Sequence, residues 1–265
     1  MINLTPGQLF RQFSLILISL GLIVACHSIS ISDYKTSNIL KVATEPAFPP
    51  FQFQENTGEL KGFDIDLIKA IGQEAGLEIR FQILPFDRII PAIEKQTVGA
   101  AISAMTITPE RQKIISFSYP YFKTGLAVAI QKDNQEINNL ESLRNKKIGV
   151  KIGTTGANEA KKVTGAKISY FNSTALALEA LSNGNVDAVI NDKPVILYLI
   201  NSDNLTKIKV FQPVLTEEYY GIATPKQSKN LVKINQALVK VIKAGVYRKI
   251  YQKWFKIDPP ALPNN

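Results

Sequence analysis

The sequence predicts an α/β fold with a mostly parallel sheet, because strand-like and helical segments alternate along the chain. Short apolar or alternating runs indicate the strands, and apolar residues at helical spacing indicate the helices. Apolar residues make up 45% of the sequence, which supports a packed globular core. The length suits two domains or one large domain.

The predicted elements form two series. The first consists of a strand over 39–44, a helix over 63–75, a strand over 77–84, a helix over 87–95 and a short buried strand over 99–104. A change of region begins at 126–132. The second series consists of strands over 147–151, 167–171 and 186–190, which alternate with helices over 154–162, 173–182 and 193–200. A strand-like segment over 218–224 and helices over 231–243 and 246–255 complete the chain.

The helix over 63–75 is the most clearly patterned element. Its apolar face is formed by Phe63, Ile65, Leu67, Ile68 and Ile71. Asp64 and Asp66 occupy the first turn, where carboxylates complement the helix dipole. We therefore expect both acids to stabilise the start of the helix and to bind no ligand.

The N-terminus has the pattern of an export signal. Residues 1–25 contain one charged side chain, Arg11, and an apolar run over 13–25 leads to Cys26. That run is short for a membrane span, which needs about 20 residues. Cys26 is the only cysteine, so no intramolecular disulfide forms. One interpretation is a signal that is removed before Cys26, which then carries a lipid. The other is an apolar anchor that is not cleaved, in which the cysteine has no role. Both interpretations leave the domain outside the cytoplasm and tethered to a membrane.

Charge and composition argue against several classes of function. The net charge is +9, but no basic helix or RNA-binding motif accompanies it, so we expect no nucleic-acid partner. The lysines suit an anionic membrane surface or solubility. His27, the only histidine, lies in the polar segment after Cys26, so a Ser-His or Cys-His catalytic pair is excluded from the domain. No metal-binding spacing is present, and no cofactor is expected.

One helix start carries a residue of the wrong charge for its position. In Thr108-Pro109-Glu110-Arg111, the threonine suits the N-cap and the proline suits the first helical position. A cation in the first turn is disfavoured by the helix dipole unless an anion binds there. Arg111 is therefore a candidate receptor for a carboxylate, to which Thr106 adds a hydroxyl. Alternatively, Arg111 pairs with Glu110 or another acid.

Two further turns are candidates for ligand contact. Asp192 ends an apolar strand and begins a helix, so it either caps the helix or faces the crevice where open α/β sheets bind ligands. Gly153-Thr154-Thr155-Gly156 offers hydroxyls and backbone N–H groups to an anion, or forms an ordinary capped turn. It lacks the Lys-Ser/Thr ending of a nucleotide-binding loop.

The stretch AFPPF over 47–51, the segment GFDIDLIKAIGQEA over 62–75 and the run Ile-Val-Ala-Cys that ends at Cys26 resemble the signatures of a known family. This family is the bacterial extracellular solute-binding proteins, family 3, which serve polar amino acid importers as lipoproteins. The resemblance extends from about residue 40 to residue 255. It implies acylation of Cys26 after removal of the signal over 1–25, a tether over 26–38 and an irregular tail over 258–265.

The resemblance also implies a two-lobed periplasmic-binding-protein fold of type II. The ligand cleft would lie between lobes joined by two crossing strands, near 125–131 and 219–224. The first lobe would be discontinuous, over 39–125 and 220–257, and the second lobe would span 126–219.

The same resemblance assigns roles to ten residues. Arg111, Thr106 and Thr155 would bind the α-carboxylate of an amino acid, and Asp192 would accept its α-ammonium. Glu45, Phe48 and Phe86 would surround the ligand side chain, with Ser103 and Ala104 as the floor. The family often has glycine at the position of Ala104. Lys151 matches glutamine binders, whereas Glu45 with two aromatic rings suits arginine or lysine, so these ligands remain alternatives.

The function implied is capture of a polar L-amino acid by hinge closure and delivery to the permease subunits of an ABC importer. A monomer in the periplasm or at the cell surface, held by a lipid anchor, is expected. Two alternatives remain: a cyclohexadienyl dehydratase-like enzyme on the same fold, and a ligand-sensing domain for a separate signalling protein.

Overall fold

The structure is a computed structural model that describes residues 38–211 and 214–263. The predicted signal, Cys26 and all but the last residue of the tether lie outside these ranges. The helices are α1 (Phe63–Ala75), α2 (Phe86–Glu94), α3 (Pro109–Ile114), α4 (Thr155–Lys161), α5 (Thr174–Ser182), α6 (Lys193–Ser202), α7 (Lys229–Lys243) and α8 (Val246–Phe255). A 3₁₀ turn spans Glu141–Leu143. Within the described ranges, none of these helices combines the length and the apolar character needed to cross a membrane.

The strands alternate with the helices as expected, with additional short pairs. They are β1 (Ile39–Thr44), β2 (Ala47–Phe48), β3 (Gln52–Gln54), β4 (Leu60–Lys61), β5 (Glu78–Ile83), β6 (Ala100–Ala101), β7 (Ser116–Phe117), β8 (Phe122–Thr124), β9 (Leu126–Gln131), β10 (Lys147–Lys151), β11 (Lys167–Phe171), β12 (Ala188–Asp192), β13 (Ile208–Phe211), β14 (Glu218–Tyr220) and β15 (Ala223–Thr224). The small sheet β2-β3-β4 was not predicted.

Two five-stranded sheets define the two lobes of the fold. Lobe 1 is built on the order β5-β1-β6-β15-β7, and lobe 2 on β11-β10-β12-β9-β13. In each sheet four strands run in the same direction, and one strand runs against its two neighbours. The prediction of a mostly parallel sheet is therefore confirmed in strand direction, although two of the four strand pairings in each sheet are antiparallel. Strands β9 and β15, which follow directly on the connections between the lobes, run against the parallel strands of the sheets that they join.

The lobes are connected by β8 and β14, which pair antiparallel with Glu218 opposite Thr124. The first crossing strand therefore lies just before the expected segment over 125–131, and the second overlaps only the start of the expected segment over 219–224. Strand β9 belongs to the sheet of lobe 2, and β15 belongs to the sheet of lobe 1. Periodicity marks a strand but not its partner, so the sequence did not separate the crossing pair from the strands that follow it.

The start of α1 depends on a close approach between two backbones. Gly62 has φ 131°, and a Cβ atom there would lie 2.1 Å from the carbonyl oxygen of Phe51. Only glycine adopts this conformation without strain. Phe51 consequently packs edge-on against Phe63 and Phe122, with ring centroids 6.1 and 4.7 Å away. This aromatic cluster joins α1 to the crossing strand β8.

The first turn of α1 does more than complement a dipole. Asp64 is fully buried, and its Oδ2 accepts hydrogen bonds from Ala104 N and from the Tyr121 hydroxyl. Asp66 accepts from Lys253 and from the Trp254 indole. In addition to their place in the first turn, both acids fix a distant segment of the chain.

The segment after β6 is not the continuous strand predicted over 99–104. The chain leaves the sheet after Ala101 and turns at Ala104, whose φ is 47°. This left-handed conformation is uncommon for a residue with a Cβ atom. The turn directs residues 103–106 toward the space between the lobes.

Candidate functional site

A small cavity lies between the two lobes, close to the crossing strands. It encloses about 10 Å³. Its lining consists of Glu45, Phe48, Gln52, Phe86, Ser103, Ala104, Thr106, Arg111, Lys151, Thr154, Thr155 and Asp192. The structure therefore brings all ten residues singled out in the sequence to one place, and it adds Gln52 and Thr154.

Arg111 is held by the start of α3 in lobe 1. Thr108 caps this helix by accepting a hydrogen bond from Arg111 N at 3.2 Å. The side chain is only 9% exposed, and its Nη1 donates to the Thr106 carbonyl at 2.8 Å. Its Nη2 donates to the Gly153 carbonyl of lobe 2 at 3.0 Å. Arg111 forms no ion pair with Glu110 or with any other described carboxylate, so that alternative is wrong.

Two acidic residues that form no ion pair with Arg111 still influence its charge. Burial lowers the pKa of its guanidinium, and the nearby charges of Glu218 and Asp192 act in the opposite direction. The guanidinium carbon also lies 5.5 Å from the centroid of the Phe86 ring. The two carbonyl contacts use two of the five N–H donors of the guanidinium.

Asp192 is the last residue of β12 in lobe 2. It precedes α6, but its side chain makes no capping hydrogen bond, so the N-cap alternative is wrong. Instead its Oδ1 accepts a short hydrogen bond from the Tyr220 hydroxyl. Burial raises the pKa of Asp192 to about 7, and the charge of Glu218 acts in the same direction. The hydrogen bond from Tyr220 acts against this shift.

Lys151 and Glu45 form an ion pair across the cleft. The two side chains are 2% and 12% exposed. The Lys151 ammonium lies 4.8 Å from the Phe86 ring centroid and 5.8 Å from that of Phe48. Glu45 also accepts from Phe86 N at 3.2 Å. An amino acid side chain that enters this part of the cavity must therefore contact an aromatic-lined ion pair.

The floor of the cavity is fixed from below. Ser103 Oγ accepts from Glu45 N at 3.2 Å and from Gln52 Nε2 at 3.1 Å. Ala104 N donates to Asp64 at 2.7 Å, which holds the left-handed turn in place. Gln52 and Asp64 were not predicted as parts of the site. The sequence feature that could have identified them is a polar side chain on an otherwise buried face of its element.

The turn before α4 contributes two threonines with separate roles. Thr154 caps the helix by accepting a hydrogen bond from Ala157 N at 3.2 Å. For this residue the alternative of an ordinary capped turn is confirmed. Thr155 instead directs its hydroxyl to Glu218 at 3.0 Å. Gly153, with φ 77°, presents its carbonyl to Arg111. This turn therefore connects lobe 2 to lobe 1 and to the crossing strand.

Glu218 is, besides Asp64, a second acidic residue near the site that sequence reasoning missed. It lies on β14, is 9% exposed and accepts hydrogen bonds from three threonine hydroxyls. The donors are Thr106 at 2.8 Å, Thr155 at 3.0 Å and Thr216 at 3.3 Å. Thr106 and Thr155 are distant from Glu218 in sequence, so no local motif marks their contact with it.

The fold and this constellation agree with a comparison against protein families. The chain belongs to the bacterial extracellular solute-binding proteins, family 3, whose family model matches residues 40–257. The predicted family and the two-lobed periplasmic-binding-protein fold are thus confirmed.

Individual relatives are amino-acid-binding proteins. A probable histidine-binding protein of Neisseria gonorrhoeae is 34% identical over 222 residues, which cover 82% of this chain and 83% of that protein. An ancestral arginine-binding protein, solved with arginine and with glutamine, is 42% identical with a TM-score of 0.79. These two alignments cover 82% and 83% of this chain and 98% and 99% of the solved chains.

One solved relative relates to the enzymatic alternative. An ancestral amino-acid-binding protein described as a precursor of cyclohexadienyl dehydratase is 36% identical, with a TM-score of 0.77. The alignment covers 83% of this chain and 96% of that chain.

Proposed function

We propose that the protein is the substrate-binding component of an ABC importer and captures a polar L-amino acid between its lobes. The observation that carries the proposal is a buried cation and a buried carboxylate at one cavity, Arg111 from lobe 1 and Asp192 from lobe 2. An α-amino acid is a zwitterion, so its carboxylate complements Arg111 and its ammonium complements Asp192. The relatives that bind arginine, histidine or glutamine support the same class of ligand.

The ion pair between Lys151 and Glu45 favours glutamine as the side chain. A side-chain amide donates to Glu45 through its N–H group and accepts from Lys151 through its oxygen. The pair keeps its charge balance in that complex. A guanidinium or ammonium would compete with Lys151 for Glu45 and would leave a buried cation without its partner, which is costly. Arginine and lysine are therefore the second candidates in this proposal.

Binding requires movement of the lobes. A cavity of about 10 Å³ holds roughly one water molecule, far less than an amino acid. Entry therefore needs separation of the lobes about β8 and β14, or displacement of Lys151. In the proposed mechanism the amino acid binds first to one lobe, and the contacts of the other lobe then stabilise the closed state. The closed protein docks on the permease.

The cellular context is part of the same proposal. Acylation of Cys26 would hold the protein at the outer face of a membrane, with the segment over 26–38 as the tether to the permease-facing domain. The proposed form is a monomer with a discontinuous first lobe, over 39–125 and 220–257, and a second lobe over 126–219. No cofactor enters this mechanism.

A thermal-shift panel of the common amino acids tests the proposal. A ligand at 100 times its Kd adds about 2.7 kcal/mol to the free energy of unfolding. For a chain of this size the expected rise in Tm is about 5–10 °C. We expect the largest rise with glutamine, then with arginine or lysine. A panel without any rise would contradict the proposed function.

The solved precursor of a dehydratase gives the enzymatic candidate a specific basis. Prephenate and arogenate therefore belong in the same panel. Formation of an aromatic product from either compound would favour the enzyme. Stabilisation by amino acids without product formation would favour the binding protein.

A further inference from the structure

Glu218 occupies an unusual place for a carboxylate. It lies on β14, one of the two strands that connect the lobes, beside the residues expected to bind the carboxylate of the ligand. The backbone of Thr106 pairs with Tyr220 on the same strand. A negative charge here would repel a ligand carboxylate unless it had another task.

The hydrogen bonds of Glu218 define that task. Its Oε2 accepts from Thr106 of lobe 1 at 2.8 Å and from Thr155 of lobe 2 at 3.0 Å. Its Oε1 accepts from Thr216 at 3.3 Å, and Thr216 in turn accepts from Leu126 N, at the start of β9, at 3.0 Å. One carboxylate thus joins both lobes and both connections between them. Buried hydrogen bonds to a charged group are among the stronger ones in proteins.

The same bonds limit what the two threonines offer the ligand. A hydroxyl carries a single proton, and both Thr106 and Thr155 donate theirs to Glu218. Toward the cleft their oxygens present only lone pairs. The ligand carboxylate is then left to Arg111 and to backbone N–H groups, whereas the threonine hydroxyls serve closure.

We propose that Glu218 is a positioning residue of the binding site, which holds Thr106 and Thr155 together across the cleft and stabilises the closed arrangement of the lobes. This inference rests on the proposed function. It differs from the contacts of Lys151 and Glu45, because Glu218 acts on the part of the site common to all amino acids. Its removal therefore weakens the binding of different ligands by the same factor.

Titration calorimetry on a double-mutant cycle tests the inference. With glutamine and with arginine, Glu218→Ala should raise Kd by about 10- to 100-fold, and by the same factor for both ligands. Glu218→Gln keeps an oxygen acceptor for the threonines and should change Kd by much less. Thr155→Val alone should raise Kd, but in the Glu218→Ala background it should add nothing. Additive effects, or tighter binding by Glu218→Ala, would overturn the inference.

A distance measurement separates this inference from the proposed function. Spin labels at Lys95→Cys in lobe 1 and Lys161→Cys in lobe 2, in the full chain carrying Cys26→Ser, report the separation of the lobes. Both lysines are exposed. Glu218→Ala should shift the distances toward longer values, without ligand and at equal saturation. Unchanged distances would overturn the role of Glu218 even if amino acids bind. If Glu218→Ala shifts the distances but the protein binds no amino acid, only the proposed function is contradicted.

The cycle also remains decisive if Glu218→Ala folds poorly. Thr106→Val with Thr155→Val removes the same two donors and leaves the carboxylate in place. This double variant should reproduce the loss of affinity and the longer distances. Circular dichroism at equal temperature checks the folded fraction of each variant. A folded double variant with wild-type affinity and distances would contradict the inference.

Discussion

Lys151 of lobe 2 pairs with Glu45 of lobe 1 inside the cleft, between the rings of Phe48 and Phe86. The lysine therefore occupies the region where an aromatic-lined carboxylate would otherwise receive a cationic side chain. This relationship makes Lys151 the residue that we expect to decide between an amide and a guanidinium ligand.

Replacement of Lys151 should exchange the ligand preference. In Lys151→Met the carboxylate of Glu45 loses its partner and becomes free to pair with arginine. We expect Kd for arginine to fall and Kd for glutamine to rise, each by about tenfold or more. Calorimetric titrations with both ligands measure the exchange. Lys147→Met, at an exposed position of the same strand, is the matched control and should leave both values unchanged.

Replacement of Arg111 should weaken the binding of every amino acid to a similar extent. Its guanidinium is the buried cation that the α-carboxylate of any ligand meets, so Arg111→Ala should raise Kd by about 100-fold or more. The measurement is a titration with several amino acids that differ in side chain. Arg80→Ala, on the exposed surface of β5, serves as the control. Normal affinity in the Arg111 variant would mean that the site is misplaced.

Binding should become tighter as the pH rises toward neutrality. Burial raises the pKa of Asp192 to about 7, and the ammonium of a bound ligand favours the ionised carboxylate. Below pH 7 the protein must lose this proton on binding, so Kd should rise by up to about tenfold per pH unit. Titrations at pH 6 and pH 8 measure the ratio. Asp192→Asn should bind weakly with a ratio near one. A wild-type ratio of one would remove Asp192 from the ammonium site.

Asp64 should make the fold less stable as the pH rises. Burial raises its pKa to about 7, above the ordinary 3.8, although the bonds from Ala104 and Tyr121 act against this shift. The folded state thus binds the proton more tightly than the unfolded chain. The stabilisation is fully present below pH 3.8 and is lost as the pH rises through about 7.

Denaturant titrations of Asp64→Asn measure this effect. Between pH 4 and pH 7 the wild-type free energy of unfolding should fall by up to about 1.4 kcal/mol per pH unit more than that of Asp64→Asn. Asp192 contributes a fall of the same sign in both proteins. Asp133→Asn, at an exposed position, is the control and should follow the wild type. Parallel curves for wild type and Asp64→Asn would refute the assignment.

Local periodicity was sufficient for most elements of the fold. The strands over 39–44 and 147–151 and the helices over 63–75 and 246–255 have the predicted bounds. Each carries its own signal, an apolar face or a short buried run. The antiparallel strands and the bounds of the crossing pair were not predicted, because strand partners and directions depend on contacts between distant segments.

Some residues of the site also carried a signal in the sequence, whereas others did not. Arg111 was recognisable because a cation in the first turn of a helix conflicts with the dipole, and Lys151 was recognisable only through resemblance to a family. Glu218 had neither signal. Its donors Thr106 and Thr155 are 112 and 63 residues away in the chain. Nothing around Glu218 in the sequence distinguishes it from a glutamate on the surface.

The proposed complex holds one zwitterion between Arg111 and Asp192. Its most direct test is a calorimetric comparison of L-glutamine with L-glutaminamide, which lacks the carboxylate, and with the deaminated analogue, which lacks the ammonium. We expect L-glutamine to bind and each truncated compound to lose about 100-fold or more in affinity. Equal affinity for either truncated compound, or no binding of L-glutamine and the other amino acids, would contradict the account.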